Sequence, residues 1–170
     1  SWSDTNGFIG QTNDTATGLS GGIYYCTITD SLGCDTVYSV TVIDPPLVTA
    51  QTAHANITCH GYGDGIAAVF NVSGGTPFTV GEAYTYSWSD ANGLMIGQIN
   101  DTITGLSGGT YYCTITDSLG CDTVYSIVVI DPDVISFTAT TKTNITCYGL
   151  VDGTATANPI GGTPAYTYSW

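Results

Sequence analysis

Three kinds of residue in this chain could do chemistry, and each recurs at fixed places. Cysteines stand at Cys26, Cys34, Cys59, Cys113, Cys121 and Cys147. A thiol can act as a nucleophile, a metal ligand or half of a disulfide. His60 follows Cys59, which raises a Cys-His dyad, but the matching phrase NITCYG puts Tyr148 after Cys147, and His54 is likewise unrepeated. A dyad needs an activated thiolate beside its base. Repetition that does not keep the base argues against catalysis, and no nucleotide-enzyme or metal-enzyme motif appears.

Carboxylates form the second set. Asp4 with Asn6, Asp90 with Asn92, and the pair Asp64 and Asp152 lie in glycine-containing stretches. None completes the spaced ligand set of a calcium loop, so they read as turn residues. Asp followed by Ser or Thr and an apolar residue occurs at Asp14-Thr15-Ala16, Asp30-Ser31-Leu32, Asp35-Thr36-Val37, Asp101-Thr102-Ile103, Asp117-Ser118-Leu119 and Asp122-Thr123-Val124. The third set is aromatic. Trp88 alternates with Ser87 and Ser89 and reads as core, whereas Tyr112, opposite in parity to Cys113, reads as an outward face where a sugar ring could stack.

The elements that must carry these groups are repeated. GGTYYCTITDSLGCDTV at 108–124 restates GGIYYCTITDSLGCDTV at 21–37, with Thr110 in place of Ile23. Cys26 to Cys113 and Cys34 to Cys121 are both 87 residues, and Cys59 to Cys147 is 88. A unit of that size suits a small β-sandwich. The copies differ by an insertion, Phe78 to Glu82, which Pro164-Ala165-Tyr166 lacks. The chain opens on Ser1-Trp2-Ser3 and closes on Tyr168-Ser169-Trp170, the same phase of the repeat. Residues 1–46 are therefore expected to be the C-terminal part of one repeat, 47–132 a complete repeat, and 133–170 the N-terminal part of the next.

Strand signals fill the unit. Ile66, Ala68, Phe70 and Val72 alternate with their neighbours, as do Tyr84, Tyr86 and Trp88, and again Tyr111, Cys113 and Ile115. Each run is expected to turn one face to a core. SGGTP, SDANG, LSGG and DSLG punctuate them. Ile43-Asp44-Pro45-Pro46 and Ile130-Asp131-Pro132 read as short, stiff joints, since proline cannot donate to a sheet ladder. The expectation is all-β, with about seven antiparallel strands per module.

Lys142 is the one basic side chain against fourteen acidic ones, for a formal charge of −13. That balance repels nucleic acid and anionic membrane surfaces. No apolar run is long enough to span a bilayer as a helix. Six cysteines with almost no lysine suit an oxidising, extracellular setting.

In fixed order, NITCHGYGDG, VSGGTPFTVGEAYTYSW, ITGLSGGTYYCTITDSLGCDT and VVIDP resemble the SprB-type repeat of giant surface adhesins of gliding bacteria. NITCYGLVDG and PIGGTPAYTYSW resemble it again, so the likeness runs through essentially the whole chain. The cysteine of Tyr111-Tyr112-Cys113 departs from it, where an ordinary strand residue is expected. Tyr-Tyr-Cys is also similar to strand F of immunoglobulin domains, with Trp88 in the strand C position. The resemblance implies tandem immunoglobulin-like sandwich modules in a long array at the cell surface, without catalysis or cofactor. It suggests that Cys59 pairs with Cys121, whereas sandwich geometry favours Cys59 with Cys113 and leaves Cys121 facing a neighbour. An odd count per repeat also admits a bond between modules or a buried, inert Cys113.

The Asp-Ser/Thr-apolar triplets are similar to the O-glycosylation signal of the same bacterial group, which makes Thr15, Ser31, Thr36, Thr102, Ser118 and Thr123 candidate acceptors. Asn13, Asn56, Asn71, Asn100 and Asn144 begin Asn-x-Ser/Thr triplets, a weaker signal. The functional expectation is a non-catalytic surface stalk, stabilised by disulfides and decorated with covalent glycans. Its partners would be neighbouring repeats and identical chains associated laterally or end to end. The competing expectation is a carbohydrate-binding module of a secreted protein, with Tyr112 as the contact.

Overall fold

The computed structural model describes the backbone of residues 1–170 and every side chain but that of Ala139. It is all-β, with twelve strands in antiparallel sheets. The chain divides into two compact units, Ser1–Pro46 and Leu47–Trp170.

The first unit is one four-stranded sheet of β1 (Trp2–Asp4), β2 (Gly7–Phe8), β3 (Gly22–Thr29) and β4 (Asp35–Val42), in the order β2-β1-β3-β4. In the second, β5 (Thr49–Ala55), β6 (Gly65–Ser73) and β8 (Thr102–Leu106) make a sheet ordered β5-β6-β8. β7 (Thr85–Asp90), β9 (Gly109–Thr116) and β10 (Asp122–Val129) make another, ordered β10-β9-β7. β11 (Ser136–Thr143) and β12 (Thr154–Ile160) form a further hairpin.

The two three-stranded sheets share one core. Ala67, Val69, Ile103 and Leu106 come from one; Trp88, Tyr111, Cys113, Ile115, Ile127 and Val129 come from the other. Alternation puts the residues of β9 there: Tyr111, Cys113 and Ile115 are buried, while Tyr112, between the first two, is 37% exposed. One polar bond crosses at the edge, where the Ala50 amide donates to the Tyr125 hydroxyl at 2.8 Å.

β6 corrects the expected phase. Gly65, Ala67 and Val69 face the core, and Phe70 is 41% exposed, the reverse of the alternation of Ile66, Ala68 and Phe70. Val72 nevertheless packs against the core. The reason is a bulge at Asn71, whose φ of 53° breaks the two-residue period and turns Val72 inward. Gly65 explains why the inward set can be small: a Cβ there would stand 2.5 Å from Val129 Cγ1 and 2.9 Å from the Leu106 carbonyl. The two sheets around this core have six strands, against about seven expected for a module. The insertion at Phe78 to Glu82 is a loop, with the Phe78 amide donating to the Ala83 carbonyl at 2.8 Å.

The core predicts a sharp contrast between two neighbouring positions. Ile115→Ala should lower the stability of this body by about 2–5 kcal/mol in urea denaturation. Leu119→Ala, at a position 68% exposed, should change it by less than about 0.5 kcal/mol.

Candidate functional site

The two ends of the body in residues 47–132 are built by carboxylates, and these ends place the cysteines. At the N-terminal end, Asp117 is 2% exposed. Its carboxylate accepts from the amides of Thr76 (2.7 Å), Leu119 (2.9 Å) and Cys121 (2.8 Å), tying the β9–β10 turn to the loop after β6. Gly75, with φ 58°, lies so close that a Cβ would meet an Asp117 oxygen and Val48 Cγ2 at 2.7 Å each. The Thr76 amide, followed by those of Cys121 and Leu119, holds the Asp117 carboxyl below its ordinary value. Asp30 repeats the motif on Leu32 (2.8 Å) and Cys34 (2.9 Å), and it too is lowered.

At the C-terminal end, Asp131 accepts from the Gly61 amide at 3.1 Å and stands 3.3 Å from His60 Nδ1. The same ring nitrogen lies 2.9 Å from the Pro132 carbonyl. Asn56 Oδ1 accepts from the Ile130 amide at 3.0 Å, and the Ile57 amide donates back to the Ile130 carbonyl at 3.0 Å. His60 therefore serves the joint that leaves the body. Within the Cys59 turn, the Thr58 amide donates to Asp64 at 3.0 Å, and Thr146 repeats this on Asp152 at 3.1 Å. The Thr58 and Thr146 hydroxyls also donate to these carboxylates and are the main reason both are lowered.

Asp4 and Asp90 close turns in the same way. Asp4 accepts from Asn6 (2.7 Å) and Gly7 (3.0 Å), and Asp90 from Asn92 (2.8 Å) and Leu94 (2.9 Å). These carboxylates work as acceptors for turn amides. Where the folded carboxyl is lowered, its stabilisation is present above the ordinary carboxylate range and is lost as pH falls through the folded value.

All six cysteines are free thiols. Cys59 lies beside residues 130–132 and Cys121 in the turn before β10, so the eight residues of β10 separate them. At about 3.4 Å per residue that is roughly 27 Å, far beyond the ~7 Å limit between bonded cysteine Cα atoms. Cys113 pairs with Tyr125 in mid-strand and with Trp88 on the other side, wholly buried, while Cys59 is exposed at the end. Neither expected pairing inside the module is made, because strand length holds the partners apart. Burial, with a smaller push from Asp101, raises the Cys113 thiol to about 12. It is the inert core cysteine. Cys26 is half-buried, and Cys34 and Cys147 are exposed.

Among the candidate acceptors, Thr15, Ser31, Thr36, Thr102 and Ser118 are exposed. Thr102 stands beside Ile103, which is fully buried, so alternation aims the hydroxyl outward. The Ser118 hydroxyl donates to the Thr76 carbonyl at 2.8 Å, and Thr15 Oγ1 donates to Asp14 at 3.2 Å. Thr123 is set apart from the other five. Its Oγ1 is buried without a hydrogen-bond partner, so on the folded body it is closed to a transferase. Tyr112 pairs with Ser89 and Ser126, which leaves a low-walled, outward face around its ring. A shallow groove elsewhere is lined by Glu82, Tyr84, Tyr86, Ile99, Asp101 and Thr102; sequence reading missed it because its walls come from two segments, 82–86 and 99–102, that lie in different sheets. Among the described residues no cluster of three or more metal-type ligands forms, and no helix is long and apolar enough to cross a membrane.

Thiol reactivity should follow this placement. A maleimide at pH 8 should label Cys34, Cys59, Cys121 and Cys147 in the folded, reduced 170-residue chain and leave Cys113 unlabelled until urea opens the core, as peptide mass mapping would record.

Residues 139–170 match the family model of the SprB repeat. No curated protein matches the chain. The matched segment takes in most of β11 and all of β12, and its words NITC, DG, GGTP and YTYSW also stand within residues 56–88. The hairpin carrying the second set of these words, with its Asp152-closed turn after Cys147, is thus similar to a segment of the SprB repeat.

Proposed function

We propose that this chain is a structural, non-catalytic segment of a long extracellular surface adhesin or filament, built from immunoglobulin-like modules in tandem. The observation that carries the reading is the SprB match on one hairpin, joined to a neighbouring body whose hairpin uses the same words. Strand order supports the immunoglobulin-like part. β5-β6-β8 and β10-β9-β7 correspond to strands A-B-E and G-F-C of such domains. The Tyr111 hydroxyl donates to the Ser107 carbonyl at 2.8 Å, as in a tyrosine corner, and Tyr24 does the same to Ser20 at 2.9 Å.

A stalk needs modules joined at opposite ends. The body enters at Val48, beside Asp117, and leaves at Ile130-Asp131, at the other end of β10. In that arrangement Cys59 sits at the exit of one module and Cys121 at the entrance of the next. Disulfide stabilisation in the array would therefore run between neighbouring repeats, with the two electrons passing to a dithiol-disulfide oxidoreductase. Glycans would sit on Thr102 and its equivalents, outside the core.

A second reading, a carbohydrate-binding module of a secreted protein, is favoured by Tyr112 alone. Its exposed ring between two serines would have to hold the sugar.

The native protein decides between them on a denaturing mass measurement with reductant, followed by glycopeptide mapping. The stalk reading expects a mass many times 17.6 kDa, sugar on Thr102 and none on Thr123. A small reduced mass, together with glycan binding that disappears in Tyr112→Ala, would replace it with the second reading.

A further inference from the structure

The groove between residues 82–86 and 99–102 has no use in a stalk. Its volume is about 570 Å³, in the range of ligand sites. It exists because residues 94–96 run beside only one end of β7. There the Ile96 amide donates to the Trp88 carbonyl at 2.9 Å, and the Asp90 amide to the Leu94 carbonyl at 3.0 Å. The chain then crosses to the other sheet. Trp88 Nε1 donates to the Asn100 carbonyl at 2.9 Å, and the Val69 amide donates to the Asp101 carbonyl at 2.9 Å. Around Tyr86, β7 is left as an open edge. Backbone groups of an antiparallel strand alternate between its two sides. Tyr86 shares the parity of Trp88, so its N–H and C=O point away from β9, without a backbone partner among the described residues. An unpaired edge of this kind is a template for another strand.

The groove walls say what kind of strand would fit. Glu82 belongs to the insertion Phe78 to Glu82, which Pro164-Ala165-Tyr166 lacks, so this module carries a wall that the second set of words does not encode. Loop insertions are where a scaffold gains function. Asp101 supplies a second carboxylate, and no basic side chain lines the groove. Both acids act on one hydroxyl: burial raises that of Tyr86 above its ordinary value, and the charges of Asp101 and Glu82 push it the same way. Anions are repelled from such a recess and cations drawn to it. Ile99, 75% exposed, adds aliphatic surface beside the charges.

We propose that this groove takes an extended, basic segment of another protein, which adds a strand to β7 at Tyr86 and sets a lysine or arginine between Glu82 and Asp101. Main-chain bonds to the open edge supply affinity, and the acidic recess supplies the choice of side chain. The aliphatic stem of that side chain packs on Ile99 and the Tyr86 ring while its charged head meets the carboxylates. Lys142, the one basic side chain of these 170 residues, stands inside β11 and is paired with Ala155 on β12, so the occupant is not a copy of this chain. The inference goes beyond the surface-stalk reading and does not rest on it, so either can fail alone.

The test is a titration of the isotope-labelled, reduced 170-residue chain with the peptide acetyl-Thr-Val-Lys-Val-Thr-amide, followed by amide chemical shifts. Shifts should concentrate on residues 82–86 and 99–102, and the Tyr86 amide should gain protection from exchange. Norleucine in place of the peptide lysine should weaken binding at least ~10-fold, as should Glu82→Gln combined with Asp101→Asn in the chain. Added salt should weaken it as well. A peptide N-methylated along its backbone should not bind. Asp122→Asn, which removes an exposed charge outside the groove, should bind like the parent. Unchanged shifts across β9 and β10 verify that each variant is folded. The inference is overturned by a peptide that shifts nothing at millimolar concentration, or by shifts that fall outside the groove. Equal binding by the norleucine peptide, by the N-methylated peptide or by the doubly neutralised chain overturns it too.

Discussion

Burial of the inward face of β9 is the interaction on which the rest of the molecule depends. Tyr111, Cys113, Ile115 and Asp117 point from one sheet towards the other, and Ala67, Val69, Ile103 and Leu106 meet them. Hydrogen-bonded pairing alone does not achieve this. β3 pairs with β4 in the same register as β9 with β10, yet Ile28 stays open. A hairpin provides the ladder; only a second sheet removes the apolar face from water.

The ends of the body are polar where the middle is apolar, and carboxylates define both. Asp117 gathers three amides at the entrance, and Asp131 fastens the Cys59 turn to the exit. The length of β10 between these two ends separates Cys59 from Cys121. Cys59 and Cys121 are both exposed, one at each end. Cys113 has the opposite character: inside the core, beside Trp88, it behaves as a small apolar side chain.

Much of this was legible in the sequence, and the failures have physical causes. The all-β class followed from glycine and β-branched composition, and the inward setting of Trp88, Tyr111, Cys113 and Ile115 followed from alternation. β6 misled because alternation gives a period without saying which phase faces the core, and because the Asn71 bulge shifts that phase partway along. The triplet of Thr123 looks like that of Thr102, yet its hydroxyl is closed over by the fold, a difference that sequence does not carry. The separation of Cys59 from Cys113 along the strand is something residue type does not report. The anchoring of the Cys59 turn by Asp131 lies 70 residues away in sequence, beyond any local motif.

The central claim is that nearly identical strands differ because one has a second sheet over it and the other does not. Hydrogen–deuterium exchange on the dilute, reduced chain tests it most directly, since GIYYCTIT and GTYYCTIT yield peptides of almost the same intrinsic exchange rate. The account predicts that amides of 109–116 exchange at least ~100-fold more slowly than those of 22–29, reflecting the higher opening free energy of a closed core. Equal protection of the two strands in monomeric protein would contradict it.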